Sequence, residues 1–172
     1  IIFSNHNVLA SSNVYGDKGF DTLRFSENGI AITDDKFVGN ISNTEVLQTA
    51  DGTNYIQIGA NAEVSGLESI VGGAGSDTID ASEFNADISL DAGGGDDILT
   101  VKNAASIDQG TLIGGTGNDT LALAEAGNVD DGDLAEVRGF EVLKGAETGL
   151  NRIEVGSNAE FGGIEQVIGG MD

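Results

Sequence analysis

Glycine and aspartate recur in this chain at one fixed spacing. Gly72-Gly73-Ala74-Gly75-Ser76-Asp77-Thr78-Ile79-Asp80, Ala92 to Thr100 and Gly114 to Ala122 each follow Gly-Gly-x-Gly-x-Asp-x-apolar-x, with Ala92 in the first glycine position of the second copy. A fourth, weaker copy, Gly16-Asp17-Lys18-Gly19-Phe20-Asp21-Thr22-Leu23, puts Asp17 where the second glycine belongs. Glycines let the backbone take positive φ and turn tightly, so that several carbonyl oxygens point at one centre with no Cβ in the way. After each aspartate, the tail carrying Ile79, Leu99, Leu121 or Leu23 starts a strand with one side chain turned inward. Successive coils would then share a narrow apolar core.

Composition agrees. With 29 acidic against 7 basic residues the formal charge is −22, which makes nucleic acid or an anionic membrane a poor partner and a cation a good one. Charge alone fits equally the bland reading of an acidic surface that keeps a protein soluble. The absence of cysteine rules out disulfides and thiolate metal sites. No proline, 27 glycines, 7 phenylalanines, 2 tyrosines and no tryptophan describe many thin β-coils better than one thick globular core.

A larger repeat lies over the small one. The run from Gly59 to Gly73 recurs from Gly156 to Gly170 at an offset of 97, Asp21-Thr22-Leu23 returns as Asp119-Thr120-Leu121, and Glu45-Val46-Leu47 as Glu141-Val142-Leu143. The chain reads as one all-β unit over 1–172, built from nearly two copies of a 97-residue element, about 16–113 and an incomplete 114–172. Such duplication is the signature of stacked repeats, in which each unit covers the apolar end of its neighbour.

Glycine-rich turns start at 16, 72, 92, 114 and 169, so the gaps are 56, 20, 22 and 55 residues. The short gaps suit one turn of a flattened β-helix and would place the loops at 72, 92 and 114 above one another on one edge. The long gaps should hold two or three further turns without the full motif. Their strands are expected at Gly29 to Thr33, Glu45 to Thr49, Asn54 to Ile58 and Leu67 to Val71. No helix is expected, since the nearest candidates, Asp133 to Arg138 and Ala122 to Ala126, are too short to nucleate one.

The three nonapeptides, the Asn/Ala-rich corner and the Gly-Ile/Leu-Glu strand after it resemble the RTX, or haemolysin-type, calcium-binding repeats of bacterial surface-layer proteins, large adhesins and secreted hydrolases. The resemblance covers most of the chain through the long unit, while the specific motifs occupy about a quarter of it. It implies a right-handed parallel β-helix or β-roll solenoid, calcium held between adjacent loops, and export as an unfolded chain through a type I system. In that pattern Asp77, Asp97 and Asp119 are calcium ligands. The residues before them, Gly72, Gly73, Ala74 and Gly75, Ala92, Gly93, Gly94 and Gly95, and Gly114, Gly115, Thr116 and Gly117, donate carbonyls, and Asp21 is the matching ligand of the degenerate copy. Calcium suits such turns because it takes 6 to 8 oxygen ligands, more than one turn with one carboxylate supplies, so a second loop must stack on the first. The competing reading of the same motifs is a metal-free solenoid whose aspartates only cap turns.

Other chemistry is thin. His6 is the single histidine and stands near an end, where a surface role is expected. Asp130-Asp131-Gly132-Asp133 departs from the EF-hand order and reads as a solvated acidic turn. No carboxylate pair is singled out for glycoside cleavage, and the seven scattered basic residues make a lyase or epimerase a minor reading. The sequence shows no initiator Met, no signal peptide and no apolar run near the roughly 20 residues needed to span a bilayer. Its last residues, Gly169-Gly170-Met171-Asp172, open a turn that is not completed, as expected of a piece of a longer array. The leading expectation is a non-catalytic calcium-binding segment of a secreted or cell-surface protein of surface-layer or adhesin type. Its partners would be calcium, further copies of the repeat or adjoining domains, with self-association through uncovered coil ends. The second is an accessory calcium-folding module of an extracellular enzyme, such as a polysaccharide-modifying enzyme or protease; the third is a β-helical enzyme.

Overall fold

A computed structural model describes residues 2–3, 13–39 and 41–169. His6 and the closing Gly170-Met171-Asp172 lie outside the described residues. Among the described residues, the chain passes back and forth between two seven-stranded sheets. The first holds Ile2–Phe3, Thr22–Phe25, Val46–Gln48, Ser69–Val71, Ser89–Gly94, Leu112–Thr116 and Val137–Arg138; the second holds Ala31–Ile32, Tyr55–Gln57, Thr78–Ala81, Ile98–Val101, Thr120–Leu123, Val142–Lys144 and Gln166–Ile168. Every pairing is parallel, and within each sheet the strands follow one another in chain order. This mostly-β arrangement of parallel sheets with few helices is consistent with a β-roll.

The apolar position after each motif sets the register. Ile56 stands opposite Ile79, Ile79 opposite Leu99, Leu99 opposite Leu121 and Leu121 opposite Leu143, and on the other sheet Leu23, Leu47, Ile70, Leu90 and Leu112 form the matching column. All of these side chains are buried. Because strand side chains alternate, a one-residue slip would turn both columns outward, so burial of each fixes the coil spacing. Removing each such side chain from water contributes about 1.5–3 kcal/mol. The four strands expected between the motifs are present as Ala31–Ile32, Val46–Gln48, Tyr55–Gln57 and Ser69–Val71, each a little shorter than read from the sequence.

The expectation of no helix is corrected. Short helices occupy Ala60–Ser65, Ala104–Asp108 and Ser157–Gly162, while Ala122 and Leu123 are strand, and only a single 3-10 turn, Asp131–Leu134, reaches the other candidate segment. Helices this short do not hold themselves. Two of them are capped from another coil: Asp34 Oδ1 accepts hydrogen bonds from the backbone N–H groups of Gly59 (2.8 Å) and Ala62 (3.0 Å), and Asp131 Oδ1 from those of Gly156 (2.7 Å) and Ala159 (3.1 Å). Left-handed Gly66 (φ 91°) and Gly163 (φ 95°) close the same two helices at their C-termini. Asp130-Asp131-Gly132-Asp133 is therefore a structural cap rather than a merely solvated turn. The donors from Ala159, then Asn158 and Gly156, hold the Asp131 carboxyl below the usual carboxylate range.

The two copies of the long repeat sit in different frames. Thr22–Phe25, Val46–Gln48 and Ser69–Val71 pair in sequence in the first sheet, whereas their counterparts Thr120–Leu123, Val142–Lys144 and Gln166–Ile168 pair in the second. Likewise Val14–Tyr15 pairs with Ile41–Ser42 apart from both large sheets, yet the equivalent strands Leu112–Thr116 and Val137–Arg138 belong to the first. A 97-residue element thus advances the chain by four coils and part of a fifth, and equivalent motifs face different sides.

Candidate metal centre

The turns at 72, 92 and 114 stack on the edge where the chain leaves the first sheet for the second. Gly93 pairs with Gly115 and Gly94 with Thr116, and Ala74 bridges to Gly94. The Gly75 N–H donates to the Gly94 carbonyl, and the Gly95 N–H to that of Thr116 (2.8 Å). Glycine is required where the stack is tightest. Gly115 (φ 112°) and Gly117 (φ 141°) adopt a left-handed backbone, and a Cβ on either would overlap the carbonyl oxygen of Gly93 or Gly95 in the turn before. Gly72, Gly73 and Gly114 are pressed in the same way against carbonyls of neighbouring turns. Ala92 alone carries a side chain at the first position, and it is fully buried.

Inside this edge runs a column of carboxylates. Asp77, Asp97 and Asp119 are 2%, 1% and 0% exposed. Each accepts a hydrogen bond from the backbone of the preceding coil: the Asn54 N–H to Asp77 Oδ1 (2.7 Å), the Asp77 N–H to Asp97 Oδ1 (2.6 Å), and the Asp97 N–H to Asp119 Oδ1 (2.8 Å). The Asp119 N–H in turn donates to Glu141 Oε2 (2.7 Å). One oxygen of each carboxylate is thereby fixed. The other is orphaned: Asp97 Oδ2 and Asp119 Oδ2 are buried with no hydrogen-bond partner, and Asp77 Oδ2 meets only the Gly73 N–H at 3.3 Å.

Burial is the main reason the carboxyls of all three aspartates are held above the usual range, with Asp97 pushed up to about 6. The hydrogen bond from Asp77 opposes this at Asp97, and the neighbouring charges of Asp119, Asp77 and Asp96 add to it. Buried unpaired acceptors in a row are costly unless something positive meets them. A hard cation between consecutive turns fits: it would take the free carboxylate oxygens of Asp97 and Asp119 together with carbonyls of the Gly93–Gly95 and Gly115–Gly117 turns. Among the described residues no three His, Asp or Glu side chains gather as a self-contained metal cluster, so most of the shell must come from backbone.

Asp21 lies on a different corner. Its N–H donates to Glu45 Oε2 (2.7 Å), repeating the Asp119–Glu141 pair of the second copy, and the turn at 16 does not join the stack at 72, 92 and 114. Sequence reasoning missed Asn54, Glu141 and Glu45 as members of the columns. The signal was present: each stands two residues before an inward-facing Ile or Leu (Ile56, Leu143, Leu47), as the motif aspartates do before Ile79, Leu99 and Leu121.

No curated protein and no solved structure matches this chain. A family model described as RTX calcium-binding nonapeptide repeat (4 copies) matches residues 65–85 and 110–123, the segments that carry Asp77 and Asp119. The stacked glycine turns, the buried column of half-satisfied aspartates and this match lead to one conclusion: the chain carries RTX-type calcium-binding nonapeptide repeats, and calcium is the ion that such repeats bind.

Proposed function

We propose that the chain is a non-catalytic structural segment of a secreted or cell-surface protein, of surface-layer or adhesin type, that folds as calcium binds outside the cell. The observation that carries this reading is the orphaned, buried oxygen on each of Asp97 and Asp119. Without an ion the column sets like charges one coil apart on a chain of net charge −22, which favours an open state. With an ion, binding energy becomes folding energy. Extracellular calcium modules bind at about 10⁻⁴ to 10⁻³ M, so the chain would stay open where calcium is scarce and close where it is plentiful.

We read 1–172 as a single right-handed solenoid of about two 97-residue units. Right-handedness is the rule for crossovers between parallel strands of one sheet. Coils of parallel strands cover their apolar columns only against a neighbouring coil, which supports stacking against further repeats or other copies. Circular dichroism in chelator and then in millimolar calcium tests the folding claim; an unchanged β spectrum and melting temperature would overturn it. Sedimentation with and without calcium tests the stacking, where a monomer at high concentration in calcium speaks against it. Hydrolysis or epimerisation of a polysaccharide by the purified chain would overturn the non-catalytic assignment.

A further inference from the structure

The stack of glycine turns has a further member that the motif does not reveal. Thr49 to Asn54 occupies the same place one coil before Gly72 to Asp77. The Gly52 N–H donates to the Ala74 carbonyl (2.7 Å), as the Gly95 N–H does to that of Thr116, and Gly52 is left-handed (φ 91°). Gly73 packs its Cα on the Ala50 carbonyl as Gly93 does on that of Gly73. Asn54 therefore stands where the other turns hold Asp77, Asp97 and Asp119, and it is 1% exposed.

Its amide nitrogen lies among oxygens. Asn54 Nδ2 donates to the carbonyls of Gly52 (2.7 Å) and Ala50 (3.0 Å) of its own turn and to Asp77 Oδ1 (2.9 Å) of the next. Those are the second and fourth carbonyls of the turn and the carboxylate of the neighbouring coil, the same kinds of group that the motif turns offer to a cation. Orientation of the amide is fixed, because Asn54 Oδ1 accepts the Ile30 N–H (3.1 Å), and the reverse placement would set oxygen against oxygen. The counterpart of Asn54 in the second copy, Asn151, stands outside this stack, where the chain leaves the second sheet after Val142–Lys144, and its amide bonds only within its own turn, to the carbonyls of Ala146 (2.9 Å) and Gly149 (3.3 Å) and from the Ala146 N–H (3.2 Å).

We propose that Asn54 is a built-in cation substitute: the amide NH2 satisfies the carbonyls that calcium gathers in the motif turns, so that this turn closes without metal and bounds the calcium-binding stack on the side that precedes Gly72. The difference in donor chemistry between a calcium turn and this metal-free turn then lies in the atom at one branch of the sixth side chain, oxygen or nitrogen. This inference rests on the calcium reading of the motif turns and adds which turn of the stack does not take the ion.

Asn54→Asp is the test, on the full chain, by calorimetric titration with calcium chloride after chelation and by melting in chelator and in 10 mM calcium. The substitution keeps the shape, removes both N–H donors and leaves the turn carbonyls open beside two carboxylates. It should bind one calcium more than the parent chain, melt lower than the parent in chelator, and recover most of that loss in calcium. Asn54→Ala should melt lower in both conditions and gain no ion. An unchanged stoichiometry in Asn54→Asp, an equal loss of melting temperature with and without calcium, or failure of that variant to fold in calcium would overturn the proposal. If the parent chain itself bound no calcium, the calcium reading would fall first; if it binds and Asn54→Asp adds none, only the present inference does.

Discussion

Replacing the central carboxylate of the stack by its amide should reverse the sign of its effect on stability between metal-free and calcium-loaded protein. Asp97 sits between Asp77 and Asp119, each one coil away, or about 4.8 Å, the spacing of neighbouring strands. At an effective dielectric constant near 20, two full charges at that distance repel by about 3 kcal/mol, so relieving both pairs is worth at most about 6 kcal/mol. Salt screens these buried pairs little, and of this upper bound about half is expected to survive relaxation of the folded coil. Asparagine keeps the Oδ1 that accepts the Asp77 N–H and turns the orphaned Oδ2 into a donor, as at Asn54. In chelator at pH 7.5, Asp97→Asn should therefore gain about 3 kcal/mol. For a chain of this size that raises the melting temperature by roughly 6–12 °C.

In calcium the same change removes a charged ligand from two adjacent inter-turn sites. If each is about 100-fold saturated at 10 mM calcium, each contributes about 2.7 kcal/mol, so losing both lowers the calcium-induced gain by about 5 kcal/mol. Thermal denaturation followed by circular dichroism in both media gives the comparison. Asp97→Ala should likewise weaken calcium-induced folding more than Asp21→Ala, whose turn stands outside the stack. A calcium increment that Asp97→Asn leaves intact, or an equal drop of melting temperature in both media, would refute the column as the cation site.

Acidity should act with opposite signs on the two states. The Asp97 carboxyl of the metal-free fold is held at about 6, above its ordinary value, so its contribution to metal-free stability is full below pH 4 and fades as pH rises through 6. Calcium needs the ionised form, so its affinity should fall by up to about tenfold per unit below pH 6, measurable by calorimetric titration at pH 5, 6 and 7. Thr44 is buried with its hydroxyl oxygen unpartnered, and the second copy of the repeat has Phe140 at this place; Thr44→Val should raise stability by about 1 kcal/mol in urea denaturation, and a loss would show a partner for the hydroxyl. Removing the distant cap in Asp34→Ala should cost about 1–2 kcal/mol and increase amide exchange in Ala60–Ser65 before the strands, which amide hydrogen exchange resolves by residue.

The sequence by itself determined what is local. Glycines at fixed spacing encode left-handed, Cβ-free turns, an aspartate at the sixth place encodes an oxygen ligand, and an apolar residue two positions later encodes an inward strand position, all within nine residues. Burial of Ile79, Leu99 and Leu121 and stacking of the turns at 72, 92 and 114 follow from that spacing, because coils of 20 and 22 residues bring like positions into register. Tertiary structure decided what depends on groups a coil or more apart. The helices at Ala60–Ser65 and Ser157–Gly162 are held by Asp34 and Asp131 in another coil, which no local propensity reports. Asn54 joins the stack through hydrogen bonds to residues up to 24 positions away, and its single turn glycine hid it from the motif. The repeat of 97 residues was legible, but not that it spans an incomplete number of coils. That mismatch puts Asp21 and its counterpart Asp119 on different sides, because register is set by coil length and not by the length of the duplicated sequence.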